Sequence, residues 1–111
     1  MSSLIMFYVP CPNVEEAKKI ARFLVERRRI ACANILNNCT SIYEWEGKLQ
    51  EEDEVILIMK TVKSLHLEVE KEIAQLHPYD CPAIVALDTA EVNMPFEQWV
   101  SAQTGSEIDE I

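Results

Sequence analysis

Apolar and polar positions change period several times along this chain, and each change marks the edge of an element. Residues 4–9 are a short, almost wholly apolar run ending at Pro10 and Pro12, the pattern of a buried strand with a prolyl stop. Asn13 then stands as an N-cap, with Glu16 in the capping-box position. Ala17, Ile20, Ala21, Leu24 and Val25 recur at helical spacing, while Glu15, Lys18, Lys19, Arg22 and Glu26 fill the other face. The basic stretch Glu26-Arg27-Arg28-Arg29 closes this helix, since cations suit a helix C-terminus. Residues 31–36 are again apolar. After Asn37-Asn38, residues 40–46 alternate β-branched and aromatic side chains with polar ones, as a half-exposed strand does.

Gly47-Lys48 predicts a tight turn, and residues 49–62 return as a long strand. Its centre, 55–59, is apolar without alternation, which predicts cover on both faces. Ser64 caps a second helix carrying Leu65, Val69, Ile73 and Leu76. That helix ends at His77-Pro78, because the residue before a proline disfavours helix. Residues 83–87 form a fourth apolar strand, and Asn93-Met94-Pro95 opens a short third helix with Phe96, Trp99 and Val100 on one face. Residues 104–111 form an acidic tail that is expected to fray.

The order β-α-β-β-α-β plus a terminal helix is the plan of an α+β, ferredoxin-like sandwich, with an antiparallel sheet and both main helices on one side. Residues 1–111 read as a single domain with its core at about 4–103. Two features sit badly with a lone copy. The hairpin of residues 40–62 is longer than one sandwich needs, and a two-stranded ribbon is marginal alone in water. Strands as apolar as 55–59 and 84–87 also need cover on the sheet face that the two helices leave open. Self-association through the sheet answers both.

The chain has 111 residues and a net charge of −9, which repels phosphate backbones and excludes nonspecific binding to nucleic acid or anionic membrane. Metal cations or basic partners suit this field, as does simple solubility. Two glycines leave no room for a glycine-rich phosphate loop. Cys11, Cys32, Cys39 and Cys81 include no C-x-x-C pair, so a zinc ribbon or thioredoxin motif is absent. The first residues lack the basic and apolar regions of a signal peptide, and no apolar run is long enough to span a bilayer. A cytoplasmic protein with reduced thiols is the expectation.

Several separated motifs then resemble one family. Ala31-Cys32-Ala33-Asn34-Ile35, residues 41–48 (SIYEWEGK), Lys60-Thr61 and residues 77–84 (HPYDCPAI) look like signatures of the CutA divalent-cation-tolerance family, in its order and spacing. The Cys11-Pro12-Asn13 turn and Trp99 fit as well. The resemblance implies an interlocked homotrimer, sheets around a three-fold axis and the hairpin reaching onto a neighbour. It also implies tolerance of divalent cations and copper binding, with no reaction attached. The family's structural relatives are P-II-like signalling trimers, which bind effectors between subunits.

Copper-type ions favour thiolate and imidazole ligands. His77 at the helix end, Cys81 in the same loop and Cys11 after the first strand are therefore the candidate metal ligands; their alternative roles are a helix-end hydrogen bonder and packing residues. The run Glu51-Glu52-Asp53-Glu54 is a second cation candidate or a solvated face. A two-residue loop at Gly47-Lys48 would set Glu44 against Glu51, a like-charge pair that a cation would relieve. Tyr43, Trp45, Glu54, Lys60, His77 and Tyr79 resemble the residues the family gathers near its inter-subunit cleft. With a lysine and aromatic walls such a cleft suits a small anionic ligand, or packs a subunit interface.

The leading reading is thus a non-catalytic homotrimer that binds a divalent or copper ion; the alternative is a P-II-like trimer that binds a small effector. Acylphosphatase chemistry on this element order needs an anion cradle of backbone amides, and Pro10-Cys11-Pro12 lacks two of them. A Cys81–His77 catalytic pair lacks an evident orienting group.

Overall fold

In the computed structural model, which describes residues 2–105, the chain runs β1 (Leu4–Cys11), α1 (Val14–Glu26), β2 (Cys32–Trp45), β3 (Lys48–Val62), α2 (His66–Leu76), β4 (Val85–Asp88) and α3 (Met94–Gln103). The strands form one antiparallel sheet in the order β2-β3-β1-β4. The α+β, ferredoxin-like plan expected from the element order is the one observed.

Local chemistry starts and stops the elements. Asn13 caps α1, its Oδ1 accepting the Glu16 amide at 2.9 Å. The helix ends at Glu26, and Arg28 turns left-handed at φ 60°. Arg29 folds back onto α2, with Nη2 3.0 Å from Glu68 and Nε 3.3 Å from Glu72. Val25, expected on the buried face, is exposed, because the helix turns its Ala17–Ile20–Ala21–Leu24 stripe inward.

Strand register sets the layers. Phe7 pairs with Met59 and Ala86, Val9 with Leu57, and Cys11 with Val55. These side chains share the face that packs on Ala17, Ile20 and Leu24 of α1 and Val69 and Ile73 of α2. The alternate residues Met6, Tyr8, Ile58, Leu36, Val85 and Leu87 fall on the opposite face. That face is not wholly open, as first expected: α3 covers one end, where Val100 and Phe96 pack with Leu4, Ala31 and Val62.

Several boundaries differ from the sequence pattern: α2 begins at His66 after a single tight turn, Lys63–Leu65, with no side-chain cap from Ser64, and β4 is Val85–Asp88 and not residues 83–87. β1 continues through Pro10 to Cys11. The Pro10 carbonyl is bonded from the loop after α2, so its nitrogen also points away from β3 and no ladder bond is lost. Residues 32–36 and 40–45 belong to one strand, β2, interrupted by an irregularity between Leu36 and Cys39 in which Asn38 takes φ 64°. The hairpin turn is Glu46-Gly47, at φ 52° and 81°, not Gly47-Lys48. Two left-handed central residues suit the twist of a tight hairpin, and glycine takes the second without strain. The turn moves by one residue and each cross-strand partner by two, so Glu44 faces Leu49 and Glu51 faces Ile42. The expected Glu44–Glu51 clash does not exist.

Of the expected frayed tail, residues 106–111 lie outside the described residues. Thr104 is buried with its hydroxyl donating to the Val100 carbonyl at 2.9 Å, and the Gly105 amide donates to Arg28 at 2.9 Å. Leu57→Ala, at the fully buried centre of β3, should cost about 3 kcal/mol, and Asn13→Ala about 1 kcal/mol. Urea unfolding followed by circular dichroism measures both.

Candidate functional site

Where the long ribbon leaves the sandwich, the C-terminal end of β1, the ribbon and the loop after α2 enclose a cleft of about 590 Å³. Its walls are Pro10, Ile42, Tyr43, Trp45, Tyr79 and Ala83, with Ser41, Glu52, Glu54, Asp80 and Cys81. Strand alternation places Ser41, Tyr43, Glu52 and Glu54 together, because Ser41 pairs with Glu52 and positions two apart share a face.

His77 fixes the loop that forms one wall. It is the C-cap of α2 and is buried. Its Nδ1 accepts the Tyr79 amide at 3.2 Å, which puts the ring proton on Nε2, donated to the Pro10 carbonyl at 2.8 Å. The Tyr79 ring lies tilted against the imidazole, centroids 4.7 Å apart, and its hydroxyl reaches across to Glu54.

Glu54 is the centre of the site. Only 9% exposed, it accepts hydrogen bonds from Ser41 Oγ at 2.5 Å and Tyr79 Oη at 2.6 Å. No Lys or Arg among the described residues forms an ion pair with it. One step along β3, Glu52 accepts from Tyr43 Oη at 2.9 Å. Burial, the hydrogen bond to Glu54 and its charge push the Tyr79 phenol far above its ordinary value, and the bond to Glu52 raises that of Tyr43. Both hydroxyls therefore stay protonated and act as donors.

The structure brings Tyr43, Trp45, Glu54, Tyr79 and Cys81 to this cleft and leaves the other candidates out of its lining. Lys60 Nζ donates to Asn34 Oδ1 at 2.8 Å and lies 5.7 Å from the Phe96 ring, beside α3. Without it the part of the cleft that one chain supplies is acidic, and Lys60 does not stand in it as a partner for a small anionic ligand. The Cys11/His77/Cys81 metal set does not assemble within one chain: no three His, Cys, Asp or Glu side chains among the described residues are grouped to hold an ion. Both His77 nitrogens are spent. The Cys11 thiol faces the core, and burial, with Glu54 and Glu16 nearby, pushes its pKa up to about 11.

Ser41 and Asp80 were not singled out as site residues from the pattern, and Glu52 was singled out only within the acidic run 51–54, as a cation candidate and not as a cleft residue. Ser41 and Glu52 carried a signal, since each lies two positions from a chosen residue on the same strand face. Asp80 carried none, because only the turn after α2 sets its position.

Residues 5–103 match the family model described as CutA1 divalent ion tolerance protein. The chain belongs to that family. It is 42% identical over 104 residues to the human protein CutA, covering 94% of this chain and 58% of that one; it thus spans little more than half of this curated relative. The crystal structure of the CutA1 divalent ion tolerance protein from Ehrlichia chaffeensis superposes with a TM-score of 0.90 at 38% identity, over 95% of this chain and 98% of that one. The periplasmic divalent cation tolerance protein CutA from Archaeoglobus fulgidus gives 0.87 at 32%, over 90% and 97%. Among the described residues of this CutA1-family chain, no helix is long and apolar enough to cross a membrane.

Exposed Cys81 should react with a thiol reagent near pH 8 while Cys11 stays protected until the protein unfolds, as mass spectrometry of the labelled sites can read. Because the folded Cys11 holds its proton above the ordinary thiol value of 9.0, the unfolded chain ionises first as pH rises. Its contribution to stability is complete below about pH 9 and falls away towards about pH 11. Unfolding curves of Cys11→Ala should lack that part of the alkaline decline.

Proposed function

We propose that this CutA1-family protein is a non-catalytic homotrimer whose cleft binds cations, a divalent metal ion among them. One observation carries the reading: Glu54, a residue only 9% exposed, has its carboxylate satisfied by two neutral hydroxyls and meets no counter-charge among the described residues. Buried carboxylates are normally neutralised by a cationic side chain, an ion or a ligand. The family's name, which speaks of tolerance to divalent ions, and that of the Archaeoglobus fulgidus protein, which speaks of divalent cations, point the same way.

A copper-type ion held by His77, Cys81 and Cys11 does not fit the donors one chain presents. What the cleft supplies is oxygen, from Glu52, Glu54 and the hydroxyls, with Cys81 as a soft donor at its edge; carboxylate oxygens suit harder ions. His77 acts through the loop it holds, so it is a positioning residue. With both nitrogens engaged it cannot serve Cys81 as a base, which favours binding over catalysis.

Trimer formation is supported by what one copy leaves uncovered. Leu36 is 51% exposed on the open sheet face, and Ile42 and Leu49 are 64% and 76% exposed on the ribbon. Lys60 lies on that same open face, where a second copy can meet it. The four cysteines are all free thiols, which supports a cytoplasmic location, in contrast with the periplasmic one in the description of the Archaeoglobus fulgidus protein.

Sedimentation equilibrium should return three times the chain mass at micromolar concentration; a monomer would overturn the assembly. Calorimetric titration of the assembled protein with Mn(II) and Cu(II) should give saturable heat that Glu54→Gln removes and His77→Gln only weakens. Heat indifferent to Glu54→Gln would sink the cation cleft.

A further inference from the structure

We propose that the cation this cleft fits best is organic: a linear aliphatic diamine or polyamine, bound with one ammonium on Glu54 and a second on Glu52. The proposal rests on the reading of the cleft as a cation site and names the class of its ligand.

The spacing of the charges is the first argument. Glu52 and Glu54 lie two residues apart on one face of β3, so their carboxylates leave the strand about 7 Å apart. A metal ion is held best by several donors converging on one point within about 2–2.6 Å, and no three His, Cys, Asp or Glu side chains among the described residues converge in that way, which makes a metal ion the weaker occupant of the two. Two separated anions suit a ligand carrying two separated cations, and ammonium groups joined by four methylenes have the required span.

The second argument is what lies beside the carboxylates. Tyr43, Trp45, Tyr79, Ile42, Pro10 and Ala83 make the walls largely aromatic and apolar. Such a surface wastes its contact area on a hydrated metal ion, whereas it buries methylenes and places ring faces beside ammonium groups. A volume of about 590 Å³ lies within the range of small-molecule sites.

Hydrogen-bond capacity is the third argument. Tyr43, Tyr79 and Ser41 donate to the carboxylates and use only part of their acceptor sites. The remaining lone pairs accept N–H donors, and an ammonium brings three. Asp80 at the cleft wall extends the acidic track for a longer polyamine.

The test is calorimetry on the assembled protein with putrescine, with butylamine as the monocation of equal carbon number, and with Mn(II). Putrescine should bind at least about tenfold more tightly than butylamine, the worth of one added charged contact. Glu52→Gln, at an exposed position that leaves the core intact, should bring putrescine down to the butylamine level, and Glu54→Gln should abolish both. Glu51→Gln with Asp53→Asn, on the opposite face of the ribbon, should leave putrescine affinity within about twofold, which separates the site from general attraction to an acidic protein. Putrescine no tighter than butylamine, or equal losses from either pair of substitutions, would overturn the diamine site. If Mn(II) heat still disappears in Glu54→Gln under those outcomes, the cation cleft stands and the diamine falls. Absence of binding by every cation would remove both.

Discussion

The pairing of β1 with β3 is the constraint on which the remaining structure depends. These two strands occupy the centre of the sheet, and their register puts Phe7, Val9 and Cys11 level with Met59, Leu57 and Val55. With a side-chain period of two, a slip of one residue would exchange the two faces and turn that core outward. The same register sends Pro10 and Glu54 to the other face, where the cleft forms. Core and cleft are therefore consequences of one alignment, and neither can be shifted without the other.

The cleft itself is built by closing a loop onto a strand end. α2 stops because Pro78 follows His77, and the histidine then spends both ring nitrogens tying the loop to itself and to Pro10. That attachment brings the Tyr79 hydroxyl to Glu54. A carboxylate so deeply buried is costly in free energy, and neutral hydroxyl donors offset only part of the cost. An acidic chain that keeps such a group at a cleft, with aromatic walls beside it, presents there the negative surface on which the proposed cation site rests.

The surface proposed for assembly and the cleft proposed for the ligand meet at the same part of the molecule. The open sheet face, with Tyr8, Leu36, Val85 and Leu87, adjoins the base of the ribbon, and Trp45 belongs both to the exposed ribbon and to the cleft wall. Any second copy that covers this face borders the cleft. Lys60, held by Asn34 and Phe96 away from the cleft of its own chain, then has a place at such a border. Dense interlocking of this kind would make occupancy of the cleft and stability of the assembly mutually dependent.

The sequence by itself determined the order of elements, the stripe of α1 that turns inward, its Asn13 cap and the need of the sheet for further cover. Those features follow from periodicity and from backbone preferences of single residues, which act locally. Tertiary structure alone decided the hairpin register, since Glu46-Gly47 and Gly47-Lys48 both contain the glycine and only the strand pairing chooses between them. It decided that His77 is a clasp and not a free ligand, because its partners are the Pro10 carbonyl, distant in sequence, and the Tyr79 amide at the turn. It also placed Lys60 outside the cleft of its own chain and brought Ser41, Glu52 and Asp80 into it, leaving that chain's share of the cleft acidic. A cleft joins residues from separate elements, and its sign depends on which of them converge, a property that no local pattern contains.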